Sequence, residues 1–223
     1  MSAVFPISKG ASTAAMLAVF ALSWLYPIWP YEQALHNSLT VVGFGLLWRY
    51  TGKLQVSDRD FFLMALFFAV HSIAGRWLYT NVPYDRWTGF LFGFSLSQEL
   101  GWTRNQFDRL VHCLFGVCFT PAIASYAARR FKLRPIRAFQ LAVTAIMVLS
   151  LWYEWFELAV AMTMSGADAE AYNGQQGDMW DAHKDMLIAT AGSLAWAWHY
   201  WSAGRRPLPG AGTIRHPEGQ AER

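Results

Sequence analysis

Charge and cysteine are both scarce in this sequence. Asp, Glu, Lys and Arg make up 15% of the 223 residues, whereas soluble domains carry about 25%. The only two cysteines, Cys113 and Cys118, lie in one apolar run, and on a helix they would point about 140° away from each other. A disulfide between them is therefore not expected, and no cysteine spacing typical of a zinc site occurs.

Several motifs of soluble enzymes are also missing. The sequence has no phosphate-binding Gly-rich loop, no nucleophile elbow and no Cys–His pair. One basic cluster, Arg129–Arg137, gives little support to nucleic-acid binding, because membrane topology and attraction to anionic lipids explain it better. We therefore expect membrane lipids, and not nucleic acids, as partners.

Hydrophobic residues are abundant and predict a membrane protein. They form 54% of the chain, and aromatic residues, which collect at the edges of a bilayer, form 17%. A transmembrane helix needs about 20 mostly apolar residues. Six segments fit: residues 11–29, 34–50, 61–79, 110–126, 136–164 and 182–201. The first ends in Tyr26-Pro27-Ile28-Trp29-Pro30 where a signal-peptide cleavage site would need small residues, so we interpret it as a retained span.

The predicted fold is all-α: one transmembrane helix bundle over residues 1–203, followed by a disordered tail at residues 204–223. Six spans place both termini on one side. Thirteen of the 18 Lys and Arg residues then fall on that side and five on the other. The positive-inside rule assigns both termini to the cytoplasm of a bacterial inner membrane.

A shorter apolar piece lies between the third and fourth spans. Residues 87–102 are rich in aromatics and glycine but too few to cross the membrane. We predict an interfacial or re-entrant segment on the outer face.

Histidines and carboxylates concentrate at the outer ends of the predicted spans. Charged residues in a membrane cost at least a few kcal/mol each, so their alignment at one depth predicts a shared periplasmic pocket. The candidate metal ligands are His71, His112, Glu154, Glu157, Asp178, Asp181 and Asp185. Asp108 and Glu154 are the candidate catalytic groups, and Arg76 and Arg109 the candidate ligands of an anionic headgroup.

Three explanations for so many carboxylates remain open. A divalent metal of unknown identity could neutralise them, protonation could, or basic residues on the same side could: Arg76, Arg104, Arg109 and Lys184. Simpler roles also compete, because His71 could be a hydrogen-bonded packing residue and Asp108 an ordinary helix start. Asp178 and Asp181 could cap the last helix.

Five strings around these residues resemble the YjdF-like family of bacterial inner-membrane proteins. They are HSIAG at residues 71–75, YTNVP at 79–83, FDRLVH at 107–112, EWFE at 154–157 and QGDMWDAHKDM at 176–186. The resemblance spans most of residues 10–202 and implies a polytopic membrane protein. The order of Asp108, His112, Glu154, Asp181 and Asp185 also resembles, more distantly, VanZ-like membrane proteins. That second resemblance implies a site that faces envelope lipids or cell-wall precursors.

Three functions are compatible with these patterns. The first is a metal-dependent protein that acts on envelope lipid or a cell-wall precursor through the outer pocket. The second is an ion- or proton-coupled transporter, since carboxylates in a membrane often mark ion paths. The third is a non-catalytic structural membrane protein. The sequence alone leaves open whether the protein is an enzyme, its substrate and its oligomeric state.

Overall fold

The structure is a computed structural model that describes residues 5–166, 169 and 175–204. No strand occurs among these residues, and the predicted all-helical architecture is confirmed for them. The helices are α1 (Lys9–Ser23), α2 (Pro30–Tyr50), α3 (Asp58–Arg76), α4 (Tyr84–Phe92), α5 (Leu96–Glu99), α6 (Phe107–Phe131), α7 (Pro135–Ala161), α8 (Asp181–Leu194) and α9 (Ala197–Gly204). The predicted tail, apart from Gly204, lies outside the described residues.

Two of these helices are long and apolar enough to cross a membrane. Helix α6 has 25 residues and helix α7 has 27, with mean hydropathies of 1.6 and 1.5 over their most apolar windows. Helix α1 is apolar but shorter. The total of six spans therefore stays a prediction.

The first predicted span ends earlier than expected. Helix α1 stops at Ser23, and the chain turns before α2 begins at Pro30. The carbonyl groups at the end of a helix lack hydrogen-bond donors within the helix. Here Arg76, at the end of α3, supplies the donors. Its guanidinium donates to the carbonyl oxygens of Ser23 and Leu25, at 2.6 and 2.8 Å, and to that of Tyr26.

The sixth predicted span, residues 182–201, is not one helix. It is divided into α8 and α9 at residues 195–196. At the break, the indole nitrogen of Trp196 donates to the carbonyl oxygen of Val117 on α6, at 2.8 Å. Beyond it, the Tyr200 ring stacks on Phe139 of α7 with 5.0 Å between ring centroids. The break thus lets α9 pack along α7.

The segment between α3 and α6 contains two short helices, α4 and α5. They have nine and four residues, too few to cross a bilayer. The Asp85 carboxylate joins them, because it accepts hydrogen bonds from Ser95 Oγ at 3.0 Å and from the Ser97 amide at 2.8 Å. Phe90 is 89% exposed on this segment. Its interfacial or re-entrant position stays a prediction.

Helix α6 is the centre of the bundle and packs against α3, α7 and α8. Its contact with α8 is very close: a Cβ added at Gly116 would overlap the carbonyl oxygen of Ala189, and one at Gly192 would overlap that of Cys113. Small residues allow such an approach of two helix backbones. The close approach brings the polar ends of α6 and α8 together.

Both cysteines are free thiols, as predicted.

Candidate functional site

Three of the predicted site residues form a compact cluster between α6 and α8. Asp108 and His112 lie one turn apart at the start of α6, and Asp185 lies on the first turns of α8. One carboxylate oxygen of each aspartate and one imidazole nitrogen all lie within 4.8 Å of one another. The three residues are only 7%, 8% and 3% exposed. We call this group the Asp–His–Asp cluster.

The contacts inside the cluster are loose for hydrogen bonds. His112 Nε2 lies 3.6 Å from Asp108 Oδ1, beyond ordinary hydrogen-bonding distance. Asp185 Oδ1 is buried and has no hydrogen-bond partner among the described residues. A buried carboxylate oxygen without a partner is costly. The cluster therefore has atoms that can bind a metal, and a bound cation would also give the unpartnered Asp185 oxygen a partner.

A network of arginines and aspartates adjoins the cluster. Arg104 pairs with Asp181 and, at 3.6 Å, with Asp178. Arg109 Nη2 lies 2.7 Å from Asp178 Oδ2 and 3.4 Å from Asp181 Oδ1. Lys184 Nζ adds a third cation to Asp178, at 2.6 Å. Basic partners, one of the three explanations, thus account directly for Asp178 and Asp181, and the charges of Arg104 and Arg109 also act on Asp108 of the cluster.

The position of Asp178 in this network changes its acidity. The hydrogen bond from Lys184 is the largest cause, and the Trp180 amide and Arg109 add to it against an opposing effect of burial; together they lower the pKa of Asp178 to about 2. Because the folded protein holds the ionised form, the resulting stability is fully present above the ordinary pKa of 3.8 and is lost as the pH falls through about 2.

Asp178→Asn should remove this pH dependence. We expect the variant to unfold at a lower temperature than the wild type at neutral pH, because three cations lose a shared anion. The difference in melting temperature should shrink as the pH falls from about 4 to about 2, where the wild-type carboxylate also becomes neutral. Thermal unfolding of the detergent-purified proteins measures this, and a difference that stays constant over that interval would contradict it.

His71 lies apart from the cluster. Thr40 Oγ1 lies 2.8 Å from its Nδ1, and the Tyr79 hydroxyl lies 2.7 Å from its Nε2. Both ring nitrogens are therefore engaged, which corresponds to the alternative of a hydrogen-bonded packing residue. The sequence interpretation did not name Thr40 as a site residue, and it named Tyr79 only within a string that resembles the family. A signal for Thr40 existed, because Gln33, His36, Asn37 and Thr40 follow helical spacing on α2, and all four are buried.

Glu154 and Glu157 line a cavity of about 280 Å³ between α7 and the start of α8. Asp181 and His183 also line it. Glu154 Oε1 is buried without a hydrogen-bond partner among the described residues. This cavity shares Asp181 with the arginine network, so it adjoins that network.

The two predicted headgroup ligands occupy different places. Arg76 binds the carbonyl groups between α1 and α2, as described above. Arg109 lies in the arginine network and also donates to Gln106 Oε1 at 3.1 Å, while its Nε is buried with no hydrogen-bond partner among the described residues. Of the predicted pair, only Arg109 lies near the cluster.

Comparison with known proteins shows the family. The family described as "Predicted membrane protein (DUF2238)" matches residues 10–206. The chain belongs to this family. It is also 25% identical to the inner membrane protein YjdF of Escherichia coli (strain K12) over 174 residues, which cover 78% of this chain and 75% of that protein. No solved structure matches the chain.

Membership in the DUF2238 family confirms two predictions from the sequence: the resemblance to YjdF-like proteins and the assignment to a membrane. With the helical structure, it makes this chain a helical membrane protein. The more distant resemblance to VanZ-like proteins stays a prediction.

Proposed function

We propose that this DUF2238 protein is a six-span protein of the inner membrane whose Asp–His–Asp cluster binds a divalent metal at the periplasmic end of the bundle. The excess of Lys and Arg on one side supports this orientation, with both termini in the cytoplasm. The E. coli relative YjdF is an inner membrane protein, which supports the compartment.

The observation that carries the proposal is the geometry of Asp108, His112 and Asp185. Two carboxylates and one imidazole form a ligand set suited to zinc, manganese or ferrous iron. Three protein ligands leave at least one coordination position open, as in catalytic metal sites. The adjoining arginines pair directly with Asp178 and Asp181, and the unpartnered Asp185 oxygen of the cluster favours a cation.

The chemistry that such a site supports is hydrolysis or transfer on an envelope lipid or a cell-wall precursor. A bound metal would supply Lewis acidity or activate a water molecule. Asp108 would act as a ligand, which leaves Glu154, in the adjoining cavity with Asp181, as the candidate general base. Glu157 lies one turn further along the same helix and lines the same cavity.

Metal content tests the proposal. The detergent-purified protein, after loading in turn with magnesium, manganese, iron and zinc, should hold close to one metal ion per chain by mass spectrometry. Asp185→Asn and His112→Gln should each lose at least about 100-fold in affinity, since loss of even an outer-shell partner costs about 10- to 100-fold. Asp58→Asn is the matched control, because Asp58 pairs with Lys9 on α1.

Two results would overturn the metal site. One is the absence of every metal from the loaded wild type. The other is full metal content in Asp185→Asn and His112→Gln, which would place any bound metal elsewhere.

A further inference from the structure

A cavity with a mostly apolar surface lies beside the Asp–His–Asp cluster. Its volume is about 410 Å³, within the range of about 300–1,000 Å³ that is usual for ligand sites. It lies between α2, α3, α6 and α7. Its apolar wall includes Phe67, Phe68, Phe115, Phe119, Leu39 and Leu149.

The phenylalanines make this wall rigid. The ring of Phe67 lies 5.7 Å from that of Phe115 and 5.2 Å from that of Phe119, measured between centroids. Phe115 and Phe119 are 5.0 Å apart. Contacts of this geometry are favourable beyond simple burial, so the wall is not expected to collapse into the space.

Six polar side chains also line the cavity: Thr40, His71, Tyr79, His112, Ser150 and Tyr153. His112, a member of the Asp–His–Asp cluster, is part of the wall. Ser150 of α7 is 2% exposed, and its Oγ has no hydrogen-bond partner among the described residues. A buried hydroxyl without a partner is costly, which indicates that a ligand with a polar group near one end would fit.

Helices α2 and α7 both line the cavity, but they are not among the helix pairs that pack extensively on each other. Helix α2 packs on α3, and α7 packs on α6, α8 and α9. Leu149, on the α7 side of the cavity, is 47% exposed although it lines the space. In a membrane protein, an apolar opening between two helices faces hydrocarbon and not water.

We propose that this cavity takes one hydrocarbon chain of a membrane lipid, which enters between α2 and α7 and places the polar end of the lipid at His112. The chain fits because four phenylalanines and two leucines supply much of the lining. The polar end fits because His112 and the Ser150 hydroxyl lie in the same wall. The position of the polar end rests on the proposed metal site, whereas occupation of the cavity by a chain does not.

Photo-crosslinking in vesicles tests the proposal. The full chain is placed in vesicles of phosphatidylethanolamine and phosphatidylglycerol that contain a trace of lipid with a diazirine in mid-chain. One set uses an acyl probe and a parallel set a polyprenyl phosphate probe. After irradiation, peptide mass spectrometry should find labels on the inward-facing Phe67, Phe115 and Phe119. The probe that labels them identifies the source of the chain.

Matched variants separate the cavity from the surrounding lipid. Ser150→Phe fills the space and should lower labelling of the three phenylalanines about tenfold, equivalent to ~1.4 kcal/mol of lost chain contact. Val148→Phe adds the same ring on the same helix at a position that is 46% exposed, and it should leave that labelling unchanged. Ser150→Ala keeps the space and should retain labelling.

The same experiment in the presence of a chelator distinguishes this proposal from the metal site. Labelling of the phenylalanines should persist without metal. If both probes label only outward residues such as Val148 in the wild type, the cavity proposal is overturned, even if the Asp–His–Asp cluster binds metal. That wild-type map decides the question even where Ser150→Phe fails to fold.

Discussion

Gly116→Ala is expected to lower the stability of the purified protein strongly. The new Cβ would overlap the carbonyl oxygen of Ala189 and lie 2.6 Å from the Ser193 amide nitrogen. These are backbone atoms of α8, so no side-chain rotation relieves the overlap. Overpacking of a well-packed contact costs about 1–3 kcal/mol, and we expect a loss near the upper end, about 3 kcal/mol.

The loss should extend to the proposed metal site. To accommodate the methyl group, α6 and α8 must move apart, and these two helices carry Asp108, His112 and Asp185. The separation would also break the hydrogen bond between the hydroxyls of Thr120 and Ser193, now 2.6 Å long. Thermal unfolding and metal content of the same preparation should therefore fall together. Gly192→Ala, which overlaps the Cys113 carbonyl, should reproduce both effects.

Gly45→Ala is the control. Gly45 lies within α2, and a Cβ there meets no atom within 4 Å. Alanine is about 1 kcal/mol more favourable than glycine inside a helix, so this variant should be as stable as the wild type or slightly more stable. A Gly116→Ala protein with the wild-type melting temperature would contradict the close packing of α6 against α8.

Arg104→Gln is the second change with a large expected effect. Arg104 donates to both carboxylate oxygens of Asp181 and to the Gln175 carbonyl oxygen. Asp181 is 3% exposed. Removing one partner of a buried ion pair typically costs about 3–5 kcal/mol, because a charge stays buried without compensation. Arg109 remains 3.4 Å from Asp181, so we expect a smaller loss, about 2–3 kcal/mol.

A double-mutant cycle isolates this pair. Asp181→Asn removes the charge that Arg104→Gln would leave behind, so the double variant should be more stable than Arg104→Gln alone. Arg86→Gln, at an exposed position on α4, is the control and should change the melting temperature little. If Arg104→Gln and the double variant unfold at the same temperature, the pair does not carry the stability that its geometry indicates.

The sequence predicted the helices and the residues of the site better than it predicted their grouping. Helical spacing placed Asp108 with His112 and Asp181 with Asp185, because residues four apart share a face. It could not show how α6 and α8 are rotated about their axes. That rotation turns the shared face of Asp181 and Asp185 towards α6, where Asp185 joins the Asp–His–Asp cluster and Asp181, one turn earlier, meets the arginines. The predicted single pocket is therefore divided among neighbouring places.

Other differences between the predictions and the structure arise from contacts with residues that are distant in the sequence. The break between α8 and α9 contains neither proline nor glycine, so it has no local signal; it coincides with the hydrogen bond from Trp196 to α6. Similarly, Arg76 was a reasonable candidate for a headgroup ligand, because nothing in its local sequence indicates that α1 ends nearby. The carbonyl groups that it binds lie about 50 residues earlier in the chain.

The location of the cluster ligands on α6 and α8 also sets an order for biogenesis. During synthesis, α6 and then α7 emerge before α8, so Asp108 and His112 enter the membrane before Asp185 exists to complete the site. Until then, the polar end of α6 faces either lipid or provisional partners, a state that is costly in a bilayer. Insertion of α8 brings Asp185 to Asp108 and His112, so an assembly intermediate that lacks α8 would also lack the complete Asp–His–Asp cluster.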